Sequence, residues 1–231
     1  MSTNTINETV KSINYTVDDL LNKTFNTIHV VLPDWAKTLI KLILVIILVV
    51  VITKIIKPRQ ITYYVYDSTI DPTFAKDVKN IIAQSELTPK YNLLCVNDPR
   101  AADITIKLKK RQEMDKWHEE DKQYYPDGRQ IRFSLTWQGK EHKPRIYIDD
   151  QNWLNGVKES GLTLEQYREY VIIHELMHGL GFDHQPCNET TAVNGVCPIM
   201  TQSTRGCPKG FRCGYKPLPA DYTLKLDNRY I

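Results

Sequence analysis

Neither sign of charge dominates this chain. It has 30 lysines and arginines against 27 aspartates and glutamates, a formal net charge of +3. That excess is too small to argue for nucleic acid. Basic and acidic residues are mixed, with no basic stripe carrying interleaved aromatics. No nucleic-acid partner is expected. No segment repeats at a fixed period, which excludes solenoid and propeller architectures. No Cys-x-x-Cys pair occurs among the 5 cysteines, so neither a zinc knuckle nor a thioredoxin-like motif is supported. What is present is the composition of a globular chain. Its 231 residues are 42% hydrophobic and 25% charged, room for one domain of ordinary size with extras.

Four cysteines, Cys187, Cys197, Cys207 and Cys213, crowd the last quarter of the chain, and Cys95 stands apart. Four clustered cysteines in a loop-rich segment read as two disulfides and imply an oxidising compartment. Three pairings are open. The neighbour pairing, Cys187 with Cys197 and Cys207 with Cys213, is the first one to test. Cys95, in "LLCVNDPR", reads as a buried thiol.

Three parts follow from the composition. Residues 1–37 are polar and rich in Asn and Thr. Asn7-Glu8-Thr9, Asn14-Tyr15-Thr16 and Asn22-Lys23-Thr24 are N-glycan acceptor patterns, which matter only if this segment faces a lumen. Residues 38–56, "TLIKLILVIILVVVITKII", are apolar on every side and β-branched throughout, with Lys41 and Lys54 able to snorkel. About 19 residues at about 1.5 Å each reach roughly 28 Å, close to the thickness of a bilayer core. A single transmembrane helix is expected. A long, partly acidic segment precedes it and no small-x-small cleavage site follows, so a cleavable signal peptide is not.

The evidence on orientation is divided. Lys54, Lys57 and Arg59 after the span outnumber Lys37 and Lys41 at its start, a slight lean towards a cytoplasmic C-terminal side. The clustered cysteines and a fourth glycan pattern, Asn188-Glu189-Thr190, lean the other way. One charge is the smaller argument. The expected arrangement is N-terminus inside and C-terminal domain outside, at a lumenal, cell or virion surface.

Residues 60–231 form the third part, long enough for one core. "QITYYVYD" reads as a strand and "PTFAKDVKNIIAQSEL" as a helix, with Phe74, Val78, Ile81 and Ile82 at helical spacing. "ADITIKL" alternates as a half-buried strand. "EMDKWHEEDKQYYPDG" reads as a surface loop, and "IRFSLTW" and "RIYIDD" as two further strands. A helix follows them. The fold class is α+β, with one twisted sheet and packed helices.

That last helix holds "YVIIHELMHGLGFDHQ", with the spacing His-Glu-x-x-His-x-x-Gly-x-x-His. Thr163 to Gln166, "TLEQ", is a capping box that starts it. His174 and His178 are four apart, so their rings leave the same helix face and can grip one ion. Gly181 can take a positive φ, end the helix and bring His184 round as a third ligand. Three protein ligands leave one position on Zn²⁺ for water, as catalytic sites do. Glu175 sits beside His174, placed to take a proton from that water and pass it to a leaving amine. Zinc and Glu175 together make a peptide-bond hydrolase.

The motif, with Met200 downstream in "NGVCPIMTQSTRGC", resembles the metzincin zinc peptidases. The resemblance implies a metzincin-like zincin domain over residues 60–231. It makes His174, His178 and His184 the metal ligands, Glu175 the general base and Met200 the methionine of a turn beneath the metal. The helix and strand "FAKDVKNIIAQSEL…ADITIKL" look like a matrixin-type N-terminal subdomain. "RIYIDDQNW…YREYVIIHELMHGLGFDH…CPIMTQST" is similar to an uncharacterised, mostly secreted bacterial metzincin-like family. The likeness runs from about Ile104 to Thr204. It implies a protein or peptide substrate aligned along a sheet edge, supplied by "IRFSLTW" or "RIYIDD", with Pro198–Thr204 walling a pocket. The chain departs from the pattern in three places. It has no Pro-Arg-Cys-Gly-type switch, Met200 is followed by Thr201-Gln202 rather than His-Tyr, and Gln185 follows His184.

Other residues have plainer readings. Trp153 is a core residue, and His118 and His142 are solvated. Asp183 either accepts from a ligand imidazole or faces solvent. "CPKGFRCG" is a disulfide-stapled loop. The whole reads as a membrane-anchored zinc endopeptidase. The alternative is a catalytically silent, zinc-containing membrane or virion surface protein that binds a partner, which would have no need of Glu175. A cytoplasmic-facing peptidase with reduced cysteines is a third reading.

Overall fold

The computed structural model describes residues 33–55, 60–115, 123–137 and 143–223. His118 and His142 lie outside them. The chain divides into two compact units, Met1–Lys57 and Pro58–Ile231.

The first unit contains helix α1 (Asp34–Ile55), 22 residues long, which takes in nearly all of the expected span 38–56. Six consecutive apolar residues, Leu42 to Ile47, are all exposed. Side chains are described as far as Leu48. Among the described residues no helix is long and apolar enough to cross a membrane. The helix expected at this position is present, but the transmembrane span itself has no support from the described residues.

In the second unit, β1 (Ile61–Val65), β2 (Leu93–Cys95), β3 (Ile104–Lys109), β6 (Leu135–Trp137) and β7 (Arg145–Asp149) form one sheet in the order β2-β1-β3-β7-β6. The β1–β2, β1–β3 and β3–β7 pairs are parallel, and β6 is an antiparallel edge on β7. β4 (Gln123–Tyr124) and β5 (Gln130–Ile131) form a separate hairpin. Alternation puts Ile61, Tyr63, Val65, Ile104, Ile106, Leu108, Ile146 and Ile148 on one buried face.

Helix α2 (Phe74–Gln84) covers that face with Phe74, Ala75, Val78 and Ile82, as its apolar spacing requires. Short helices α3 (Leu87–Tyr91), α4 (Arg111–Met114) and α5 (Asp150–Asn155) connect the strands. Helix α6 (Leu164–Gly179) lies on the same face. A Cβ on Gly179 would sit 3.4 Å from Ile104 Cδ1 and 3.7 Å from Ile146 Cδ1, so the missing side chain lets the end of α6 approach β3 and β7 closely.

The sequence reading needs several corrections. "IRFSLTW" is not one strand. Gln130–Ile131 joins the hairpin and Leu135–Trp137 the sheet, with Ser134 between them bonded to the backbone of Asp149. The expected loop before it, 113–128, takes in the end of α4 and the first hairpin strand, β4; residues 116–122 of it lie outside the described residues. β2 went unrecognised because three residues carry no period. Cys95 is half-buried rather than buried. Trp153 is in the core, fully buried, with its Nε1 donating to Asp71 Oδ2 at 2.8 Å. Cys187 pairs with Cys197 and Cys207 with Cys213, the neighbour pairing.

Candidate metal centre

Helix α6 starts as its sequence dictates. Thr163 Oγ1 accepts from the Gln166 backbone N–H at 3.3 Å, and Gln166 Oε1 accepts from the Thr163 N–H at 3.1 Å. Both halves of the capping box are made. The helix is buried along its second half, including Ile172, Ile173, Leu176 and Met177. His174 and His178, one turn apart, place their ring centroids 4.7 Å from each other. After Leu180 the chain reverses at Gly181, whose φ is +89°. Phe182, fully buried, anchors the return, its N–H donating to Met177 O at 3.0 Å. His184 then arrives with its ring centroid 4.5 Å from that of His178. One ring nitrogen from each of His174, His178 and His184 lies within 4.8 Å of the others, a group that could hold a metal ion.

The outer nitrogens are tied down. His174 Nδ1 lies 2.8 Å from Ile199 O, and His178 Nδ1 lies 2.8 Å from Phe182 O. A carbonyl can only accept, so each Nδ1 carries the proton and each Nε2 keeps its lone pair for the ion. Burial, followed by the neighbouring His178, holds His174 well below the usual histidine range. The same two causes lower His184 to about 4. The rings are therefore neutral at pH 7, the form that binds metal. Three neutral imidazoles suit a borderline-soft divalent ion. His184 is the exposed member, so the site opens on its side.

Glu175 is only 5% exposed. Thr136 Oγ1, from edge strand β6, reaches both its Oε2 and its backbone oxygen. Burial pushes the Glu175 carboxyl up to about 7, opposed by the Thr136 hydrogen bond. A carboxyl titrating there can both take and return a proton near neutrality.

Met200, fully buried, lies in the same segment as the Ile199 carbonyl that holds His174. Asp221 fastens this turn. Its Oδ1 accepts from Met200 N–H at 2.7 Å, and its Oδ2 accepts from Ile199 N–H at 3.0 Å and Leu218 N–H at 2.7 Å. Tyr170, from α6, braces the next residues by accepting from Ser203 N–H at 3.0 Å. Gln202 turns its amide towards the centre, with Nε2 3.2 Å from His184 Nε2.

Sequence reasoning missed Asp221 and Thr136, and placed Gln202 only within the Pro198–Thr204 pocket wall, not beside His184. Asp221 and Thr136 are common polar residues far along the chain from the motif, and nothing local marks them. Asp183, which was left with two readings, is half-buried and bonds the main chain. Its Oδ1 accepts from the backbone N–H of His184 at 2.7 Å, and carbonyls rather than carboxylates bond the His174 and His178 rings. "RIYIDD" supplies no sheet edge, because β7 lies inside the sheet and β6 is the edge.

No curated protein matches the chain. Residues 61–210 match a family model described as "Protein of unknown function (DUF3152)". That stretch includes the three histidines, Glu175, Thr136 and Gln202, while Asp221 lies beyond it. With well over half of its length matched, the chain belongs to the DUF3152 family.

Proposed function

We propose that the chain is a zinc-dependent endopeptidase of metzincin type, anchored in a membrane through residues 38–56. One observation carries the reading: three neutral imidazoles converge on one point beside a buried carboxyl that titrates near 7. A purely structural site has no use for that carboxyl. His174, His178 and His184 would hold the zinc. The ion would supply a Lewis acid for the scissile carbonyl and lower the pKa of the attacking water. Glu175 takes the proton from that water and returns it to the leaving amine. Met200 is the turn methionine, and Gln202 offers a polar group at the open side. The substrate peptide adds to the edge strand β6, whose Thr136 already touches Glu175.

Two disulfides support an oxidising compartment and hence an extracytoplasmic domain. The anchor rests on the sequence alone, the apolar and β-branched run of residues 38–56.

The test uses the full chain in detergent. Cleavage of a peptide library is assayed with and without a chelator, beside Glu175→Ala, and bound zinc is quantified in each. Chelator-sensitive cleavage lost in Glu175→Ala with zinc retained is the expected result. Stoichiometric zinc without any cleavage would favour the silent, partner-binding alternative. Absence of zinc would end both readings.

A further inference from the structure

The sheet has a second face. On β3 and β7 the residues alternating with the buried set are Thr105, Lys107, Lys109, Arg145 and Tyr147, and these point away from the core on which α6 packs. Strand pairing aligns them across the sheet. Thr105 is the register partner of Tyr64 on one side and Arg145 on the other, and Arg145 is the partner of Trp137. Lys107 is the partner of Tyr147. Tyr66 lies next to Lys107, whose ammonium is 5.5 Å from the Tyr66 ring centroid. The result is a cleft of about 640 Å³, lined by Tyr66, Thr105, Lys107, Lys143, Arg145 and Tyr147 among others.

Among the described residues its charge is only partly offset, by Glu113 near Lys109 and Lys107. Lys109 is paired with Glu113. Among the described residues Lys107, Lys143 and Arg145 form no ion pair. Lys143 Nζ donates to Ala102 O at 2.7 Å and Arg100 O at 3.2 Å, contacts that fix the ammonium without neutralising it. Three cations lining one concave cleft focus a positive potential there.

We infer that this cleft binds an acidic polysaccharide chain, a polyhydroxylated polymer bearing sulfate, phosphate or carboxylate groups. The cations meet the anionic groups, and the hydroxyls of Thr105 and Tyr66 suit sugar hydroxyls. Its concavity disfavours a flat bilayer. Base stacking lacks a clear platform. Tyr64 and Tyr66 meet edge to face at 4.9 Å, and Lys107 and Arg145 lie over the Tyr66 and Trp137 rings. The site does not depend on the metal centre, which lies against the other face.

The experiment titrates the full chain in detergent with labelled dextran sulfate, polygalacturonate, neutral dextran and oligo(dT) of matched charge. Binding of at least one acidic polysaccharide, none of neutral dextran, and a loss of at least tenfold in Lys107→Gln/Arg145→Gln are expected. Lys143→Gln alone, at an exposed position, weakens binding severalfold and keeps the test alive if the double variant misfolds. A control pair outside the cleft, Lys76→Gln/Lys209→Gln, stays within twofold. An equal loss in the control pair would show diffuse charge attraction and overturn the site. So would tighter binding of oligo(dT) than of either polysaccharide, which would assign the cleft to nucleic acid. No polysaccharide binding at low salt would also overturn it.

Discussion

Thr136 Oγ1 lies 2.7 Å from Glu175 Oε2 and 2.9 Å from the Glu175 backbone oxygen. One hydroxyl from the sheet edge thus reaches both the side chain and the main chain of the proposed base, and ties β6 to α6. The contact favours the ionised carboxylate, against a burial that disfavours it.

Replacing that hydroxyl tests the link. In Thr136→Val the carboxyl loses a bond that lowers its pKa, so its pKa rises further. The acid limb of the pH–rate profile should move to higher pH, with metal content unchanged. Thermal stability should fall by about 1 kcal/mol, the usual net worth of a hydrogen bond. An acid limb that stays in place would separate Thr136 from the base.

The metal-free protein carries a signature of the buried carboxyl. Glu175 titrates at about 7 when folded, against 4.5 as its ordinary value. The folded state therefore binds more protons between those values, and stability falls as pH rises through that window. Glu175→Gln should be more stable than the parent at pH 8 by roughly 3 kcal/mol, and the gain should vanish below about pH 4.5. Urea midpoints of the two apo proteins against pH measure it.

The histidines act in the opposite sense. His184 is lowered to about 4 from 6.5 and His174 well below 6.5, both chiefly by burial, so the unfolded chain binds more protons than the folded one below the ordinary histidine value. Apo stability from this source is complete above about pH 6.5 and is lost as pH falls. His174→Phe and His184→Phe should each flatten the acid side of the stability curve, because burial lowers both imidazoles. An acid side unchanged in both variants would contradict that cause.

Asp221 should matter to the metal without touching it. Asp221→Ala leaves three backbone N–H donors, on Ile199, Met200 and Leu218, without their acceptor. A loss of about 3–5 kcal/mol is expected. The Ile199 carbonyl holds His174, so zinc affinity should drop at least tenfold. Asp221→Asn keeps one acceptor oxygen and should fall between the two. Calorimetric zinc titration and melting curves read both effects.

Gly181 is the hinge of the motif. Its φ of +89° is strained for any residue with a Cβ. Gly181→Ala should cost about 1 kcal/mol or more and displace His184, weakening zinc while leaving the α6 capping box intact. Unchanged zinc affinity would show that the turn tolerates another conformation.

What the sequence determined by itself is local. The capping box at Thr163–Gln166, the helical pairing of His174 with His178 and the reversal at Gly181 all join residues a few positions apart, so short-range geometry decides them, whereas the choice among three disulfide pairings was made only by the fold. The α+β class was also legible, because strand and helix periods are written in consecutive residues. The tertiary structure decided the rest. Thr136 reaches Glu175 from 39 residues away, and Asp221 reaches Met200 from 21. Strand order placed β6, not β7, at the edge. No basic stripe with interleaved aromatics runs along the sequence, yet one forms across the sheet, because Lys107, Arg145, Tyr66 and Trp137 come from separate segments. Pairing of distant strands brings such residues together, and no local pattern records which strands will meet.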